Sequence, residues 1–354
     1  MRVSVPAAPP ESNGQLAVRA CTSAAVWNAY LRRHAGATGY HRFEWGALIG
    51  RVFGHDICFL AAESSGGIQG ILPLVVLRNR LFGRFVVSLP FLNYGGVVAD
   101  TPDAERLLLE AAIRLARENG ATLELRHTRK IYPELADRRH KVAMTLPLRH
   151  DPEAQWNALD RKVRNQVRKA EKSGMQTAEG GLELLDGFYH VFARNMRDLG
   201  TPVYTKAFFR DVLGTFPDST RVFAVYAGHT PVAASLLVWH GGTVEVPWAS
   251  SLREFNTQAP NMLLYWRMLR FAAERGFRTF DFGRSTPGEG TFHFKRQWGA
   301  EPAELVWEYW TADGRAIPNL NPANPRFRRA IALWQHLPLK VTTLVGPHIV
   351  RHIP

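Results

Sequence analysis

Apolar and polar positions fall into short blocks along this chain, and the order of the blocks repeats. In residues 59–77 (FLAAESSGGIQGILPLVVL) two apolar runs flank a Ser/Gly turn, which predicts a β-hairpin. Across residues 107–116 Leu108, Ala111, Ala112 and Leu115 recur at helical spacing; Thr101 stands as N-cap, Pro102 in the first turn and Gly120 past the end. A strand, LELR at 123–126, follows directly. The second half returns the same order. Residues 222–238 (VFAVYAGHTPVAASLLV) read as strand, turn, strand; 261–275 as a helix closed by Gly276; and FDFG at 280–283 matches LELR as an apolar, acidic, apolar strand. The copies stand about 157 residues apart, as from Glu124 to Asp281. That period predicts a duplicated α/β (α+β) unit, two domains leaving a cleft between them.

Between the copies, residues 151–174 (DPEAQWNALDRKVRNQVRKAEKSG) predict one helix with Asp151 as N-cap, Pro152 at its first position and Gly174 at its end. Trp156, Leu159, Val163, Val167 and Ala170 make an apolar stripe, and Arg161, Arg164, Arg168 and Lys172 recur at spacings of three and four. Cations this close repel unless solvent or an anion screens them, so the face is a candidate donor or phosphate site. A solvated face of a packing helix has the same pattern. The expected organisation is a flexible Pro/Ala/Ser-rich leader at 1–14, a first domain at 15–150, a second at 151–312 opening with the basic helix, and a C-terminal amphipathic tail at 313–354. In the tail Phe327, Ile331 and Trp334 or Leu337 line one side of a short helix, Arg326, Arg328, Arg329, His336 and Lys340 add charge, and prolines then break the chain. Such a segment suits an anionic membrane surface or an arm packed over the first domain.

Composition narrows the partners. A chain of 354 residues with 46% hydrophobic content has material for two cores, and 44 Lys+Arg against 31 Asp+Glu leave a net charge of +13. Anionic partners are favoured: tRNA, a nucleotide- or lipid-linked precursor, or an anionic membrane face. Cys21 and Cys58 are the only cysteines, and no Cys/His spacing suits a metal, so His55 and His293 read as packing or rim residues. The start has no basic-then-apolar signal pattern, and no apolar run reaches the roughly 18 residues of a bilayer span. The expected place is the cytoplasm, with peripheral contact at the inner membrane.

Candidate chemistry concentrates in residues 280–299 (FDFGRSTPGEGTFHFKRQWG), a strand, a glycine-broken loop, then an aromatic run holding Lys295. Lys295 either lays its stem over Phe294 and Trp298 or aims its charge at something the loop holds. Arg284 follows the strand and can fork onto a carboxylate or phosphate. Asp281, between Phe280 and Phe282, faces away from both; it is a candidate general base or a buried partner for a neighbouring cation. Asn93 and Tyr94 in NYGG occupy a turn, and Thr201, Pro202 and Tyr204 form a turn into a helix capped by Thr205; both turns are candidate substrate contacts. Trp248, at a strand end, is either core or ligand platform, and Asn261 and Phe292 join the substrate-binding candidates. No GxSxG, Ser/His/Asp or Cys/His signature points to a covalent intermediate, which leaves direct attack by an acceptor amine.

Four stretches in this order, KVRNQVRKAEKSGM (162–175), NMRDLGTPVYTKAFF (195–209), FDFGRS and GTFHFKRQWG, resemble FemAB-type proteins. NYGGVVAD (93–100) and NPRFRRAIALWQHLPLKVTTLVGPHIVRHIP are similar to the FemAB-like proteins of exosortase/PEP-CTERM systems. The resemblance implies a tandem pair of GNAT-like acyltransferase domains moving an acyl or aminoacyl group to an amine of a cell-envelope or exopolysaccharide precursor. It gives Lys295 the place of the lysine in FK-x-x-(W/F)-G, beside the reacting groups. It implies aminoacyl-tRNA or acetyl-CoA as donor, although no Q/R-x-x-G-x-G/A pyrophosphate loop follows either hairpin. Two alternatives stand beside it: an acetyl-CoA-dependent N-acetyltransferase acting on a polysaccharide sugar, and a non-catalytic envelope-assembly protein that keeps the fold.

Overall fold

The computed structural model describes residues 15–79, 82–312, 317 and 325–354. The leader expected at 1–14 and most of 313–324 lie outside the described residues. The chain divides into two compact units, one of Met1–Arg139, Glu304–Leu320 and Arg351–Pro354, the other of His140–Ala303 and Asn321–Val350.

The first unit runs β1 (Ala17–Ala20), α1 (Ala24–Arg33), α2 (Phe43–Phe53), β2 (Asp56–Ser64), β3 (Gly67–Asn79), β4 (Gly83–Val87), β5 (Val98–Ala99), α3 (Pro102–Glu118), β6 (Thr122–His127) and β7 (Ala136–Arg138). β2 and β3 form the expected hairpin, with Leu60 opposite Leu72. Alternation then sorts side chains by face: Cys58, Leu60 and Ala62 meet Leu108, Ala112 and Leu115 of α3, while Phe59 packs edge-on against Trp27 of α1. Thr101 caps α3 by accepting from Ala104 N. β4 and β6 lie parallel, paired from Phe85↔Thr122 to Val87↔Glu124.

The second unit runs β8 (Val142–Pro147), α4 (Pro152–Ala158), α5 (Arg161–Lys172), β9 (Gln176–Gly180), α6 (Leu185–Asp198), α7 (Lys206–Thr215), β10 (Thr220–Ala227), β11 (Thr230–His240), β12 (Thr243–Ser251), α8 (Pro260–Glu274), β13 (Thr279–Ser285), α9 (Gly290–Arg296) and β14 (Glu301–Glu304). Its sheet is ordered β14-β8-β13-β12-β11-β10-β9. Phe280, Phe282, Val244 and Val246 share one core with Val163 and Val167 of α5 and Leu264 and Met268 of α8. On the other face Trp248 packs edge-on against Phe208 and Phe209 of α7, ring centroids 5.5 and 5.3 Å away. After β14, β15 (Val306–Trp310) returns to the first sheet and pairs with β6 and β7. α10 (Pro325–His336) and α11 (Leu339–Val350) then pack on α6.

Three sequence expectations change. The helix expected over 151–174 is two helices, because Leu159 is extended and Asp160 starts a new helix by accepting from Lys162 N at 2.6 Å. The sequence boundary near 150 gives way to one at Arg139/His140, since β8 pairs with β13 in the second sheet. The aromatic run after the glycine loop, given no element from the sequence, forms the helix α9. Of the prolines in the 325–354 segment, Pro338 stands in the break between α10 and α11 as expected, whereas Pro347 lies inside α11 without ending it, and both helices belong to the second unit.

Candidate functional site

In the second unit the parallel pair β12/β13 is short. Pairing covers Thr243↔Thr279, Val244↔Phe280 and Glu245↔Asp281, and then both strands change register against their outer neighbours, β12 against β11 and β13 against β8. Pro247 brings no N–H to the ladder, and Gly283 sits at φ +76°, a left-handed conformation that a side chain would strain. The two strands part beyond Asp281, leaving backbone edges that face each other without a ladder.

Asp281 builds this bulge. It is buried, and its Oδ1 accepts the Gly283 N–H at 2.7 Å. The turned backbone presents Gly283 O and Arg284 O to Lys295, whose Nζ donates to them at 3.0 and 2.8 Å. Lys295, on α9, is 8% exposed. Its ammonium has three N–H groups, and two are spent on carbonyls, so one further position around the nitrogen is a donor when charged and a lone pair when neutral. Burial pushes its pKa down to about 8, with Arg284 and Lys141 pushing the same way and the Asp281 carboxylate opposing them.

Lys141 escaped sequence analysis. It immediately precedes β8, where Val142 and Ala143 pair with Ser285 and Arg284, and it donates to Thr286 Oγ1. Burial lowers its pKa, as does Arg284, while Glu289 raises it. Three cations, Lys141, Arg284 and Lys295, therefore share one end of β13 and feel one another. Glu245 also escaped, although VEV repeats the acid-between-apolars pattern of FDF; it is buried and is the register partner of Asp281.

The other candidates are dispersed over both units. Phe292 packs half-buried on the second unit's core, and Asn261 lies in the first turn of α8 with Oδ1 buried and no hydrogen-bond partner. Trp248 is core against α7. Thr201 follows α6, its N–H on Met196 O, and Tyr204 offers its backbone oxygen to the Tyr189 hydroxyl. On α5, Arg161, Arg168 and Lys172 are exposed, Arg168 lies over the Trp156 ring at 5.4 Å, and Arg164 is half-buried.

Asn93 and Tyr94 belong to the first unit, where the matching parallel pair is filled by its own chain. Beyond Val87, Ser88 N donates to Glu124 O and Ser88 Oγ accepts from Arg126 N; Gly95 and Gly96 donate to Arg126 O; Val97 N donates to His127 Nε2. That last bond makes Nε2 the acceptor, so Nδ1–H donates to Glu308 at 2.6 Å. Asn93 donates to the Tyr40 hydroxyl, Tyr94 packs on the Tyr40 ring, and a Cβ at Gly96 would fall 1.9 Å from His127. Arg126 is buried on Glu124, Leu92 O and the Trp307 ring. A cavity of about 120 Å³ opens beside Tyr94, Gly96, His127 and Arg129. The buried polar groups here are already bonded to one another, so the first unit's pair is closed while the second's is open.

Residues 158–296 match the family described as an acetyltransferase (GNAT) domain. The fold is a tandem pair of GNAT-like units. The crystal structure of FemX superposes with a TM-score of 0.64 at 16% identity, covering 81% of this chain and 96% of that one. A tandem GNAT protein from the clavulanic acid biosynthesis pathway gives 0.52 at 14% identity, covering 86% and 99%. The Lipid II:glycine glycyltransferase of Staphylococcus haemolyticus (strain JCSC1435) is 26% identical over 99 residues, 26% of this chain and 24% of that protein. The chain thus matches about a quarter of the length of that curated relative.

Proposed function

We propose that the second unit is an acyltransferase of FemAB type, joining an acyl or aminoacyl group to an amine of a cell-envelope precursor. The observation that carries this reading is Lys295: a buried ammonium held by two carbonyls of a bulged strand, at the mouth of two parted strands, with Arg284 and Lys141 beside it. An amine attacks the acyl carbonyl, the new C–N bond forms, and the carbonyl oxygen gains negative charge that the third Lys295 N–H meets. Collapse breaks the bond from the acyl carbon to the donor oxygen or sulfur; the amine gives its proton to water and the leaving group takes one. Asp281 shapes the bulge, and Arg284 and Lys141 hold an anionic part of donor or acceptor. Arg161, Arg164, Arg168 and Lys172 are the second cationic face for a polyanionic donor.

The relative's name supports glycine as the transferred group and Lipid II as the acceptor, and the resemblance to FemAB-type proteins supports aminoacyl-tRNA as carrier. The narrower likeness in 93–100 and 324–354 supports an exosortase/PEP-CTERM setting with an exopolysaccharide precursor as acceptor, on the cytoplasmic side of the membrane. A second reading, acetyl transfer from acetyl-CoA, is favoured by the acetyltransferase family matched over 158–296. Incubating purified protein with radiolabelled glycyl-tRNA or acetyl-CoA and Lipid II or an amino-sugar precursor separates them. Amide product from glycyl-tRNA alone supports the first reading and from acetyl-CoA alone the second; no product from either donor with any of these acceptors removes the support for both.

A further inference from the structure

α11 is built inside out. Its buried positions are Thr342, Gly346 and Val350, whereas Leu344 is 71% exposed and Val341 and Val345 are each 39% exposed. The inward face fits because it is small: a Cβ at Gly346 would lie 2.9 Å from Val203 N. A helix that only covers α6 would turn its aliphatics the other way. On α10 the inner stripe is Phe327, Ile331 and Trp334, with Ile331 against Gly200, and Leu333 on the outer side is 67% exposed.

The charge carried by these two helices has one sign. Residues 325–354 contain no Asp or Glu and carry Lys or Arg at 326, 328, 329, 340 and 351. Arg329 stands one helical turn before Leu333 and Lys340 one turn before Leu344, with His348 one turn after; Arg328, Arg329, Lys340 and His348 are exposed. Exposed aliphatics between cations on a helix lying flat are what an interface of lipid headgroups and acyl chains accepts. A second copy is a poorer occupant, because a two-fold pairing sets a patch against itself and this patch would meet only its own positive charge. Among the described residues no helix is long and apolar enough to cross a membrane, so the contact is one of lying on the surface.

We infer that the outer face of α10 and α11 docks the second unit on an anionic lipid bilayer, with Leu333, Val341, Leu344 and Val345 entering the headgroup layer and Arg328, Arg329 and Lys340 at the phosphates. The inference is independent of the transfer chemistry, and its test reads vesicle binding alone. Purified full chain is sedimented with phosphatidylcholine vesicles and with vesicles of phosphatidylcholine and phosphatidylglycerol in equal parts. Binding is expected to the anionic vesicles and to fall with added salt. Arg328→Gln/Arg329→Gln/Lys340→Gln is expected to weaken it about 100-fold, at about fivefold per charge. Leu333→Ser/Leu344→Ser is expected to weaken it about tenfold or more. All five positions are exposed, so melting temperature stays at the wild-type value and separates lost docking from lost fold. Absence of binding to anionic vesicles, or variants that bind like wild type, would overturn the inference. So would a concentration-dependent dimer in sedimentation velocity that Leu344→Ser abolishes, which would assign the face to a second copy.

Discussion

Asp281 and Lys295 divide the work at the centre of the site. Asp281 does two separable things: its oxygen fixes the Gly283 bulge, and its charge raises the Lys295 pKa against burial. Asp281→Asn keeps an oxygen for the Gly283 N–H and removes only the charge, so the Lys295 pKa drops further below about 8. If the ammonium is the active form, the pH profile of transfer falls above that pKa, and the variant's fall begins at lower pH than wild type's with little change in melting temperature. An unmoved limb would show that the titrating group is another. The sequence made Asp281 and Lys295 visible because each interrupts an aromatic run. It left Lys141 out of view, because the neighbourhood of Lys141 and Arg284 depends on β8 pairing with β13 across about 140 residues.

At the scale of elements, whatever rested on local periodicity could be read directly. The β2/β3 and β10/β11 hairpins, α3 with its Thr101 cap, α8 and β13 all stand where apolar spacing and turn residues put them. Pairings that join distant segments could not be read: β8 enters the second sheet and β15 returns to the first. The α4/α5 break was legible in principle, since Asp160 before Arg161 is a cap signal, but the continuous stripe from Trp156 to Ala170 masked it. Asp160→Ala removes the acceptor for Lys162 N and is expected to cost about 1 kcal/mol, seen as a lowered chemical-denaturation midpoint at unchanged m-value. A midpoint equal to wild type would mean that packing of Val163 and Val167 alone sets the α5 start.

At the scale of the whole molecule, the duplication is of fold and not of site. One copy fills its parallel pair with residues 88–97 and a buried polar network, and the other leaves it open beside three cations. The network makes the first unit acid-sensitive. Burial pushes the His41 pKa down to about 4, and its Nδ1 accepts from Thr38 N while Nε2 donates to Gly96 O, so a second ring proton would displace the Thr38 N–H bond. The folded pKa lies below the unfolded 6.5, so the unfolded state binds more protons between those values and stability falls as pH drops from about 6.5 toward 4. Melting followed from pH 7 to 4 is expected to show that decline, and His41→Gln to flatten it; an unchanged slope would place the sensitive group elsewhere. The measurement that bears most directly on the second unit's chemistry is the rate of amide formation by Lys295→Met set against wild type, both verified as folded, with whichever donor is active. The lysine's proposed role predicts a loss of about 10²–10³-fold, the scale of one oxyanion donor, with partial recovery in Lys295→Arg. A Lys295→Met protein that turns over within about twofold of wild type, a small fraction of that scale, would contradict it and leave Lys295 as a buried structural tie between α9 and β13.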